Sequence, residues 1–581
     1  MKVYRIDQER CKTCWYCEDG RPCTVPLFKE YELFRSEQRI VNSSGDGEQP
    51  RKMPLPPCSA ACPANICIQG YIALIASGRY KEALRLIRDR IPFPSICGGV
   101  CPHPCEDECT RGEYDEPIAI NALKRFVAER ETEEERAEYL QELKEKITKK
   151  GKRVAVIGSG PAGLTCAHDL ALRGYDVTVF EALPVPGGMM TVGIPEYRLP
   201  REILNGEIGV IEALGVEITT GVRVGQDTSL KELFARGYEA IFIAAGAHRG
   251  ARLGIEGEES PGVLDALSFL REINLGGNNV KVGKRVAVIG GGDAAIDAAR
   301  SALRLGAEDV FILYRRSREE MPAHREQVEA AEEEGIRIDL LVAPVRFITN
   351  SGGVEAIECQ RMTLGEPDES GRRRPLPVEG SNFTVEADTA IVAIGQLSDL
   401  SFITEEYPIK LTERGTLEVD PATCETGVPG IFAGGDVVTG PKTVIHAIAA
   451  GRRAAWGIDL RLSGEEAEPV RFYEEALAER YKPGAVATKP RTKMAVLPVG
   501  ERIRGFAVVE KGLSEEEAIA EAYRCLACGL CTNCNNCIDN FACPALYLEG
   551  GQVMINEELC DGCGVCAELC PNDAIIEVSV A

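Results

Sequence analysis

One stretch, residues 153–181, places the strongest constraint on the fold. It begins with a short, β-branched apolar run, residues 154–157, as in a buried parallel strand. Gly158, Gly160 and Gly163 follow in G-x-G-x-x-G spacing, which allows a tight turn, close approach to a pyrophosphate and close helix packing. A helix and a second strand then end on Glu181, where a carboxylate accepts the hydroxyls of an adenosine ribose. The stretch therefore predicts a dinucleotide-binding βαβ unit.

Charge and hydropathy exclude several classes of protein. The chain has 90 acidic and 66 basic residues, a net charge of −24, which argues against binding to nucleic acid or to an anionic membrane surface. No apolar run of 18 residues occurs, and residues 1–30 lack the basic-then-apolar pattern of a signal peptide. We expect a cytoplasmic protein with no membrane insertion.

The 24 cysteines are unevenly distributed along the 581 residues. Nearly all lie before residue 110 or after residue 524, and many are two residues apart. Segregated C-x-x-C repeats that end in Cys-Pro are typical of iron–sulfur clusters and not of secreted disulfide proteins. They indicate a reducing cytoplasm and anaerobic metabolism.

Two cysteine groups lie in the first 110 residues. The first has C-x2-C-x2-C-x5-C spacing, which suits a [4Fe–4S] cluster, with zinc as the alternative; it consists of Cys11, Cys14, Cys17 and Cys23. In the second group, Pro102 and Pro104 forbid a continuous helix and predict a wound loop; it consists of Cys58, Cys62, Cys67, Cys97, Cys101, Cys105 and Cys109.

The second group carries a family resemblance. CSAACPANIC, a helix containing ALRLI, PFPSICGGVCPHPCEDEC and EPIAINALKRF resemble the helical cluster domain of the glutamate synthase small subunit. The same domain occurs in dihydropyrimidine dehydrogenase and in the NADPH-binding subunit of ferredoxin-dependent transhydrogenase. The resemblance implies two [4Fe–4S] clusters, with Cys62, Cys101 and Cys105 at one and Cys58 with Cys109 at the other.

This chain departs from the family pattern at two places. Residues 53–57 lack the C-x2-C pair that the family has upstream of the residue matching Cys58. Lys124 stands where the family has Gln or Glu as a fourth ligand, and a charged lysine cannot coordinate iron. Cys67, Cys97 and the group at 11–23 are the available substitutes.

Residues 151–464 form the flavoprotein unit in this resemblance. The family places the segment after Glu181 along the flavin ring, and the aspartate matching Asp436 on the ribityl chain. No C-x-x-C lies in this unit, so Cys166, Cys359 and Cys424 are interpreted as structural. The predicted FAD-binding residues are Gly158, Gly160, Pro161, Ala162, Gly163, Glu181, Gly187, Gly188, Met189, Arg198, Ala245, Gly246, Gly435, Asp436 and Thr443.

A second fingerprint begins at residue 285 and ends on Tyr314-Arg315-Arg316 instead of an acid. Arginines there pair with a ribose 2′-phosphate, which favours NADPH over NADH, although a surface arginine cluster is the alternative. The predicted nicotinamide-nucleotide-binding residues are Gly290, Gly292, Asp293, Ala294, Arg315, Arg316 and Gly395.

The last 61 residues contain two runs of the bacterial ferredoxin kind, each ending in Cys-Pro. We predict two [4Fe–4S] clusters here, with the cysteine before each proline serving the other run's cluster, and Cys525 and Cys528 left over. The ligand sets are Cys531, Cys534, Cys537 and Cys570, and Cys560, Cys563, Cys566 and Cys543.

The predicted fold is multidomain: an α-helical iron–sulfur domain, two α/β Rossmann-like domains with one inserted in the other, and an α+β ferredoxin-like domain. The predicted divisions are a cysteine motif and linker (1–50), the helical domain (51–150), FAD domain (151–280 and 386–464), nucleotide domain (281–385), linker (465–520) and ferredoxin-like domain (521–581).

These parts predict an oxidoreductase that moves electrons between NAD(P)H and a partner through FAD and four to five [4Fe–4S] clusters, with no catalytic side chain of its own. The expected setting is a hetero-oligomeric hydrogenase, formate dehydrogenase or transhydrogenase. Flavin bifurcation would depend on the reduction potentials of the flavin, and no sequence motif indicates it. The alternatives are a glutamate synthase small subunit, a stand-alone NADPH:ferredoxin oxidoreductase, and a scaffold with relic fingerprints.

Overall fold

The protein is described by a computed structural model over residues 56–276, 280–368, 371–464, 488–526, 546–549 and 552–555. These residues belong to two compact units. Unit 1 draws on 1–148, 465–494 and 512–581, and unit 2 on 149–464 and 495–511. The cysteines predicted as ligands at 11–23 and 531–570 lie outside the described residues, as does Cys528.

Unit 1 begins as a set of short helices. They are α1 (Pro57–Ala61), α2 (Ile68–Ala76), α3 (Tyr80–Arg88), α4 (Pro94–Val100), α5 (Pro104–Asp107), α6 (Ile120–Glu129) and α7 (Glu133–Lys146), with a 3-10 turn at Thr110–Glu113. Proline at the first turn starts α1, α4 and α5. The predicted interruption at Pro102 and Pro104 is confirmed, since α4 and α5 are separate.

Unit 2 opens with the first fingerprint. Its elements are β1 (Arg153–Ile157), α8 (Pro161–Leu172), β2 (Asp176–Phe180), α9 (Met189–Val192), α10 (Arg201–Ala213), β3 (Glu217–Thr219), α11 (Leu230–Ala235), β4 (Ala240–Ile243) and β5 (Arg249–Gly250). Both β2 and β4 pair with β1 in parallel. Four consecutive residues of β1 are buried, as expected for a strand covered on both faces.

The second fingerprint follows in a second set of elements. They are β6 (Val263–Asp265), α12 (Ala266–Asn274), β7 (Arg285–Ile289), α13 (Asp293–Arg304), β8 (Asp309–Tyr314), α14 (Arg325–Glu333), β9 (Arg337–Leu340), β10 (Val342–Asn350), β11 (Gly353–Pro367), β12 (Arg373–Pro377), β13 (Phe383–Glu386), β14 (Thr389–Val392) and β15 (Gln396–Leu397). The parallel sheet has the order β6-β14-β7-β8-β9, and β10 to β13 form an antiparallel sheet.

The chain then returns to the first sheet. The elements are β16 (Ile431–Ala433), α15 (Asp436–Thr439), α16 (Val444–Ser463) and α17 (Val499–Arg502). Because β16 pairs with β4, the first sheet has the order β16-β4-β1-β2-β3 and encloses the second sheet in sequence. Strands β5 and β15 form an antiparallel pair at the point where the chain leaves the first sheet for the second and later returns to it.

The sheet pairing corrects the sequence-based boundaries at 280 and 385. Strand β6 pairs with β14, and β14 pairs with β7, so both belong to the second sheet. Helix α12 packs there too, through Ala266, Phe269 and Leu270. The inserted part therefore starts before Val263 and ends after Val392; an apolar run alone does not show which sheet it joins.

The segment 465–520, which composition predicts to be a linker, has packed structure in its described part. Residues 495–511 belong to unit 2, where the N–H of Val509 donates to the Tyr197 carbonyl at 3.1 Å. Residues 488–494 and 512–526 belong to unit 1. There a Ser514–Glu517 capping box starts α18 (Glu515–Ala522), and β17 (Leu546–Glu549) pairs with β18 (Gln552–Ile555). Among the described helices, none has the length and apolarity to span a bilayer.

Candidate functional site

The turn after β1 is a cradle of bare backbone. A Cβ on Gly163 would lie 1.9 Å from the Gly158 carbonyl oxygen, and one on Gly158 would lie 2.5 Å from the Ala244 carbonyl oxygen. At Gly160, the N-cap of α8, a Cβ would meet no protein atom within 4 Å. Packing therefore requires the first and third glycines, whereas the second faces open space at a helix N-terminus, where N–H groups attract phosphate.

Glu181 is buried at the end of β2 and is held in place by backbone donors. Its carboxylate accepts from the N–H groups of Ser159 and Leu183, both at 2.8 Å, and from the Ser159 hydroxyl at 2.5 Å. The Gly187 N–H in turn donates to the hydroxyl oxygen of Ser159 at 3.0 Å. Ser159, an unspecified position of the fingerprint, thus connects the acid to the predicted flavin segment.

The flavin segment closes over the cradle. Gly188 has φ +54° and ψ −135°, and a Cβ there would lie 2.7 Å from the Gly160 Cα. Helix α9 follows with Met189 at its start. The Arg201 guanidinium, not singled out from the sequence, donates to the carbonyls of Met190 and Ile194 at 3.1 and 2.8 Å. The backbone of this segment is therefore fixed by a side chain from α10.

The return strand brings further predicted residues to the same face. Gly435 has φ +76°, and a Cβ on it would lie 3.0 Å from the Cβ of Ala162. The neighbouring Asp436 accepts the Lys442 N–H at 3.1 Å, and burial raises its pKa to about 6. Thr443, at the start of α16, hydrogen-bonds His446 at 2.7 Å. A half-buried carboxylate with remaining acceptor capacity is suited to hydroxyl donors from a ligand.

Ala245 and Gly246 follow β4, next to the carbonyl that packs on Gly158. Gly246 has φ +67°, and its neighbour His248 lies beside Arg271, whose guanidinium donates to the His248 carbonyl at 3.2 Å. Burial and the Arg271 charge lower the pKa of His248. This neutral imidazole beside an arginine had no sequence motif to indicate it.

Arg198 makes its contact with the second sheet's helix. Its guanidinium donates to Asp297 of α13 at 2.7 Å, and the Tyr197 hydroxyl donates to the same carboxylate at 3.3 Å. Burial raises the pKa of Asp297, with Arg198 opposing that shift. Arg198, which the sequence predicts to contact FAD, therefore forms a buried ion pair between the FAD and nucleotide parts of unit 2.

The second cradle has the same construction as the first. A Cβ on Gly290 would lie 2.2 Å from the Ala393 carbonyl, and one on Gly292, the N-cap of α13, would meet only Pro322, at 3.9 Å. Asp293 accepts the His324 N–H at 3.0 Å, which fixes the loop after β8, and Ala294 follows in the first turn of α13. Gly395, with φ +147°, lies just after β14.

The two predicted arginines after β8 have different surroundings. Arg316 is buried, and its guanidinium binds Asp368 at 2.7 Å and the Arg373 carbonyl at 2.8 Å. Arg315 is exposed and makes no hydrogen bond or ion pair within the part of the chain that the structure describes. Burial of its inner part and the Arg316 charge lower the pKa of Arg315. Of the pair, Arg315 is the one whose donors are available to a phosphate.

Four cysteines of unit 1 influence the charge of Lys124, which is buried. Burial lowers the pKa of Lys124, but the charges of the neighbouring cysteines outweigh it and raise the pKa overall; these cysteines are Cys101, Cys97, Cys105 and Cys62. Main-chain N–H groups face two of these sulfurs: His103 donates to Cys101 at 3.4 Å, and Ile66 and Ala64 donate to Cys62. Such donors are typical around cluster thiolates.

The remaining predicted ligands of unit 1 that the structure describes lie on α1, before α2 and before the 3-10 turn. Cys58 is on α1, Cys67 is the N-cap of α2, and Cys109 precedes the turn. The sulfur of Cys109 accepts N–H groups of Ile118, Arg111 and Gly112. Burial raises the pKa of the Tyr71 hydroxyl, and the charges of Cys105, Cys58 and Cys62 add to this shift.

The three lone cysteines of unit 2 are buried. Burial raises the pKa of Cys359 to about 12 and that of Cys424 to about 11, and it raises the pKa of Cys166 well above its usual value. These thiols stay protonated at neutral pH, so they lack the thiolate that redox exchange requires.

The residues fit the groups that the fold implies. Each sheet presents an open glycine at a helix N-terminus, and unit 1 presents cysteine sulfurs facing backbone donors. Among the described side chains, no three Cys, His, Asp or Glu groups lie close enough together to bind one metal ion. A cubane distributes its ligands over separate iron atoms, so its cysteines stand further apart than the ligands of one ion.

Two nucleotide-binding sheets, one enclosed by the other in sequence, with cysteine-rich segments on both sides, define an iron–sulfur flavoprotein. The chain belongs to the pyridine nucleotide-disulphide oxidoreductase family, whose profile matches residues 152–451. Residues 49–136 match dihydropyrimidine dehydrogenase domain II with its 4Fe-4S cluster, and residues 553–576 match a 4Fe-4S binding domain. The protein is an FAD- and iron–sulfur-dependent NAD(P)H oxidoreductase.

This chain aligns with most of the length of three related proteins. The chain is 47% identical to the NADP(+)-dependent formate dehydrogenase subunit beta of Moorella thermoacetica, over 81% of this chain and 70% of the relative. It is 42% identical to the NADPH-Fe(3+) oxidoreductase subunit beta of Geobacter sulfurreducens, over 81% and 75%. It is 35% identical to the glutamate synthase [NADPH] small chain of Escherichia coli, over 69% and 88%.

Proposed function

We propose that this chain is the pyridine-nucleotide subunit of a larger cytoplasmic redox complex, moving electrons between NADPH and a partner subunit. The observation that carries the proposal is the placement of cysteine-rich segments on both sides of one flavoprotein unit that has no redox dithiol. Iron–sulfur clusters are then the exit for electrons from the flavin. Two relatives, each named as a subunit beta, support the assembly into a complex.

FAD occupies the first sheet in this proposal. The N-terminus of α8, with Gly160, Pro161 and Ala162, holds the pyrophosphate, and Glu181 accepts the ribose hydroxyls. Gly187, Gly188 and Met189 lie along the flavin, Asp436 accepts from the ribityl chain, and Ala245, Gly246, Gly435 and Thr443 line the remainder. Bound FAD accepts a hydride and passes electrons on singly, so the chain supplies orientation and charge instead of an acid or base.

NADPH occupies the second sheet. Gly290 and Gly292 let its pyrophosphate approach the start of α13 next to Asp293 and Ala294, while Gly395 lies at the crossing between the sheets. Arg315 pairs with the 2′-phosphate, because its donors are exposed. Arg316 has a supporting role, since it holds the loop that carries Arg315 through Asp368 and the Arg373 carbonyl.

Four to five [4Fe–4S] clusters complete the path. We assign Cys62, Cys97, Cys101 and Cys105 to one cluster in unit 1, since all four thiols are buried, as is Lys124, and their charges raise its pKa. Cys97 then replaces the Gln or Glu ligand of the resembling family, and the Lys124 ammonium remains beside the cluster as a compensating charge. Cys58 and Cys109 serve a second cluster. The groups at 11–23 and 531–570 supply the others.

The partner can be identified by purification. The native protein, isolated anaerobically through an affinity tag, should bring down a second redox subunit, and formate is the first substrate to test because of the Moorella relative. NADPH should bleach the flavin of the isolated complex. A fully active monomer that reduces ferredoxin would contradict the complex, and a flavin that neither NADPH nor NADH reduces would contradict the oxidoreductase path.

A second candidate is a glutamate synthase small subunit, favoured by the alignment with 88% of the Escherichia coli small chain. In that case the chain, mixed with a glutamate synthase large subunit, should restore NADPH-dependent glutamate formation. Absence of glutamate, together with formate-dependent NADP reduction in the native complex, would decide for the first candidate.

A further inference from the structure

Cys525 belongs to neither of the two predicted ferredoxin-type ligand sets. It lies beside Cys58 and Cys109, where the predicted cluster has fewer cysteines than it needs. One pocket in unit 1 is lined by Cys58, Cys109 and Cys525. Its other walls include Ile68, Ile72 and Ile120. Three thiols from three distant parts of the sequence therefore border one mainly apolar space.

The position of Cys525 is fixed by a buried ionic network. The preceding residue, Arg524, is 3% exposed and donates to Glu521 at 2.7 Å, to Asp115 at 3.0 Å and to the Glu116 carbonyl at 2.7 Å. The Arg111 guanidinium donates to the Arg524 carbonyl at 3.0 Å. Buried charges are costly unless each is paired, so this network specifies one placement of the segment.

Helix α18 is held to the same unit from its other side. Glu521 is fully buried and accepts the N–H groups of Ala119 and Thr492, both at 2.8 Å. Glu515, at the start of the helix, pairs with Arg130 at 2.9 Å. The segment ending in Cys525 is thus an integral part of the helical unit, although about 400 residues separate it from Cys109 in sequence.

From this arrangement we infer that Cys525 is a ligand of the second [4Fe–4S] cluster of unit 1, together with Cys58 and Cys109. The C-terminal segment then supplies a thiolate that the residues before Cys58 lack. Backbone N–H groups already face the Cys109 sulfur, as expected at a cluster. The inference rests on the proposed function in taking the metal group to be a cubane. In the sequence, the ferredoxin-type cysteine runs follow Cys525.

Iron content and double substitution test the inference. In the full-length protein, purified anaerobically, C525A should lose about four irons and the matching acid-labile sulfide per chain, equal to one cluster. C58A should lose the same amount of iron and sulfide. After reduction with dithionite, both variants should lack the same electron paramagnetic resonance signal. The C58A/C525A variant should lose no more than either single variant. C359A, which removes a buried cysteine of unit 2, should keep the full iron content.

Two outcomes would overturn the inference: C525A with wild-type iron and spectrum, or a double variant that loses two clusters. C525S is the second variant, because a serine oxygen that retains the cluster should still shift its reduction potential. FAD content and flavin bleaching by NADPH monitor the folding of unit 2 separately. A wild-type protein with full iron but no flavin reduction would contradict the proposed function and leave the ligand test intact.

Discussion

At the residue scale, side chains next to each other in sequence have different tasks. Arg315 and Arg316 are identical in type and adjacent, yet one is exposed and the other is buried against Asp368. Gly158, Gly160 and Gly163 belong to one motif, yet only Gly160 has free space where a side chain would be. The neighbouring backbone and side chains, and not the residue type, determine which of them reach a ligand.

Replacing Arg315 should alter the choice of nucleotide. In R315A, the KM for NADPH should rise about 10- to 100-fold, because a charge-assisted hydrogen bond of about 1.5–3 kcal/mol is lost. The KM for NADH should change little. Steady-state flavin reduction with each nucleotide measures this, and R318A is the control, since Arg318 is already paired with Glu332. Equal losses for both nucleotides would remove Arg315 from 2′-phosphate recognition.

Substitution of Gly160 should separate FAD binding from folding. Alanine is compatible with its φ of −67° and ψ of 178°, and the Cβ meets no protein atom within 4 Å. G160A should therefore fold but bind FAD at least about tenfold more weakly, a loss of at least about 1.4 kcal/mol, because the methyl group occupies the pyrophosphate position. Flavin absorbance per chain is the readout. G209A, in open space on α10, should retain full FAD.

Asp436 should give FAD-free protein a specific pH dependence. Burial raises its pKa from 3.8 to about 6, so between these values the folded state holds the proton more tightly than the unfolded state. Stability contributed by this group therefore falls as pH rises from about 4 to 6. In D436N the free energy of unfolding of unit 2 should exceed that of wild type by up to about 3 kcal/mol at pH 7 and should equal it near pH 4. The temperature of the thermal unfolding transition, followed against pH, measures this difference. A constant difference across this range would contradict the prediction.

At the element scale, the segment 495–511 stabilises the junction of the two sheets in unit 2. Arg502 is buried and pairs with Glu333 of α14 at 2.7 Å, while Phe506 lies 6.2 Å from the Tyr197 ring. Tyr197 also contacts Arg300 and Arg304 of α13 through its ring face, at 4.9 and 4.1 Å. One short segment thus holds the flavin side and the nucleotide side of unit 2 together.

Loss of the Arg502 ion pair should loosen this segment. R502A should destabilise the attachment of this segment by about 1–2 kcal/mol, since it removes the charge-assisted hydrogen bond from the buried arginine to Glu333. Limited proteolysis should then cleave within 495–511 roughly 5- to 30-fold faster than in wild type, provided that opening is fast relative to cleavage. R504A changes an exposed arginine of the same segment and should cleave at the wild-type rate. Equal rates in the two variants would show that the ion pair does not hold the segment.

At the scale of the whole molecule, the units divide the chemistry. Unit 2 contains both nucleotide cradles, and its cysteine thiols are buried and protonated at neutral pH. Unit 1 includes the described cysteines that face backbone donors. Electrons from the nucleotide should therefore pass through FAD before they reach any cluster.

This order can be tested with one variant and two reductants. Addition of NADPH to the wild-type protein should produce the electron paramagnetic resonance signals of reduced clusters. In G160A depleted of FAD, NADPH should produce less than about a tenth of those signals, whereas dithionite should still produce them fully. Added FAD at high concentration should restore the NADPH response. Full cluster reduction by NADPH in the FAD-free variant would contradict the order.

The sequence alone predicted the two dinucleotide-binding units, FAD and NAD(P)H as the cofactors, and the concentration of cysteines outside the flavoprotein unit. These features are local: a fingerprint occupies about 30 consecutive residues, and its glycines and terminal acid act through spacing along the chain.

Only the tertiary structure decided which strands share a sheet, which of Arg315 and Arg316 is exposed, and where Cys525 lies. Each depends on contacts between residues far apart in sequence: β6 with β14, Arg316 with Asp368, and Arg524 with Asp115. A spare cysteine pair at 525–528 and a missing pair before Cys58 were both readable in the sequence. Their connection became visible only when the folded chain placed Cys525 beside Cys58 and Cys109.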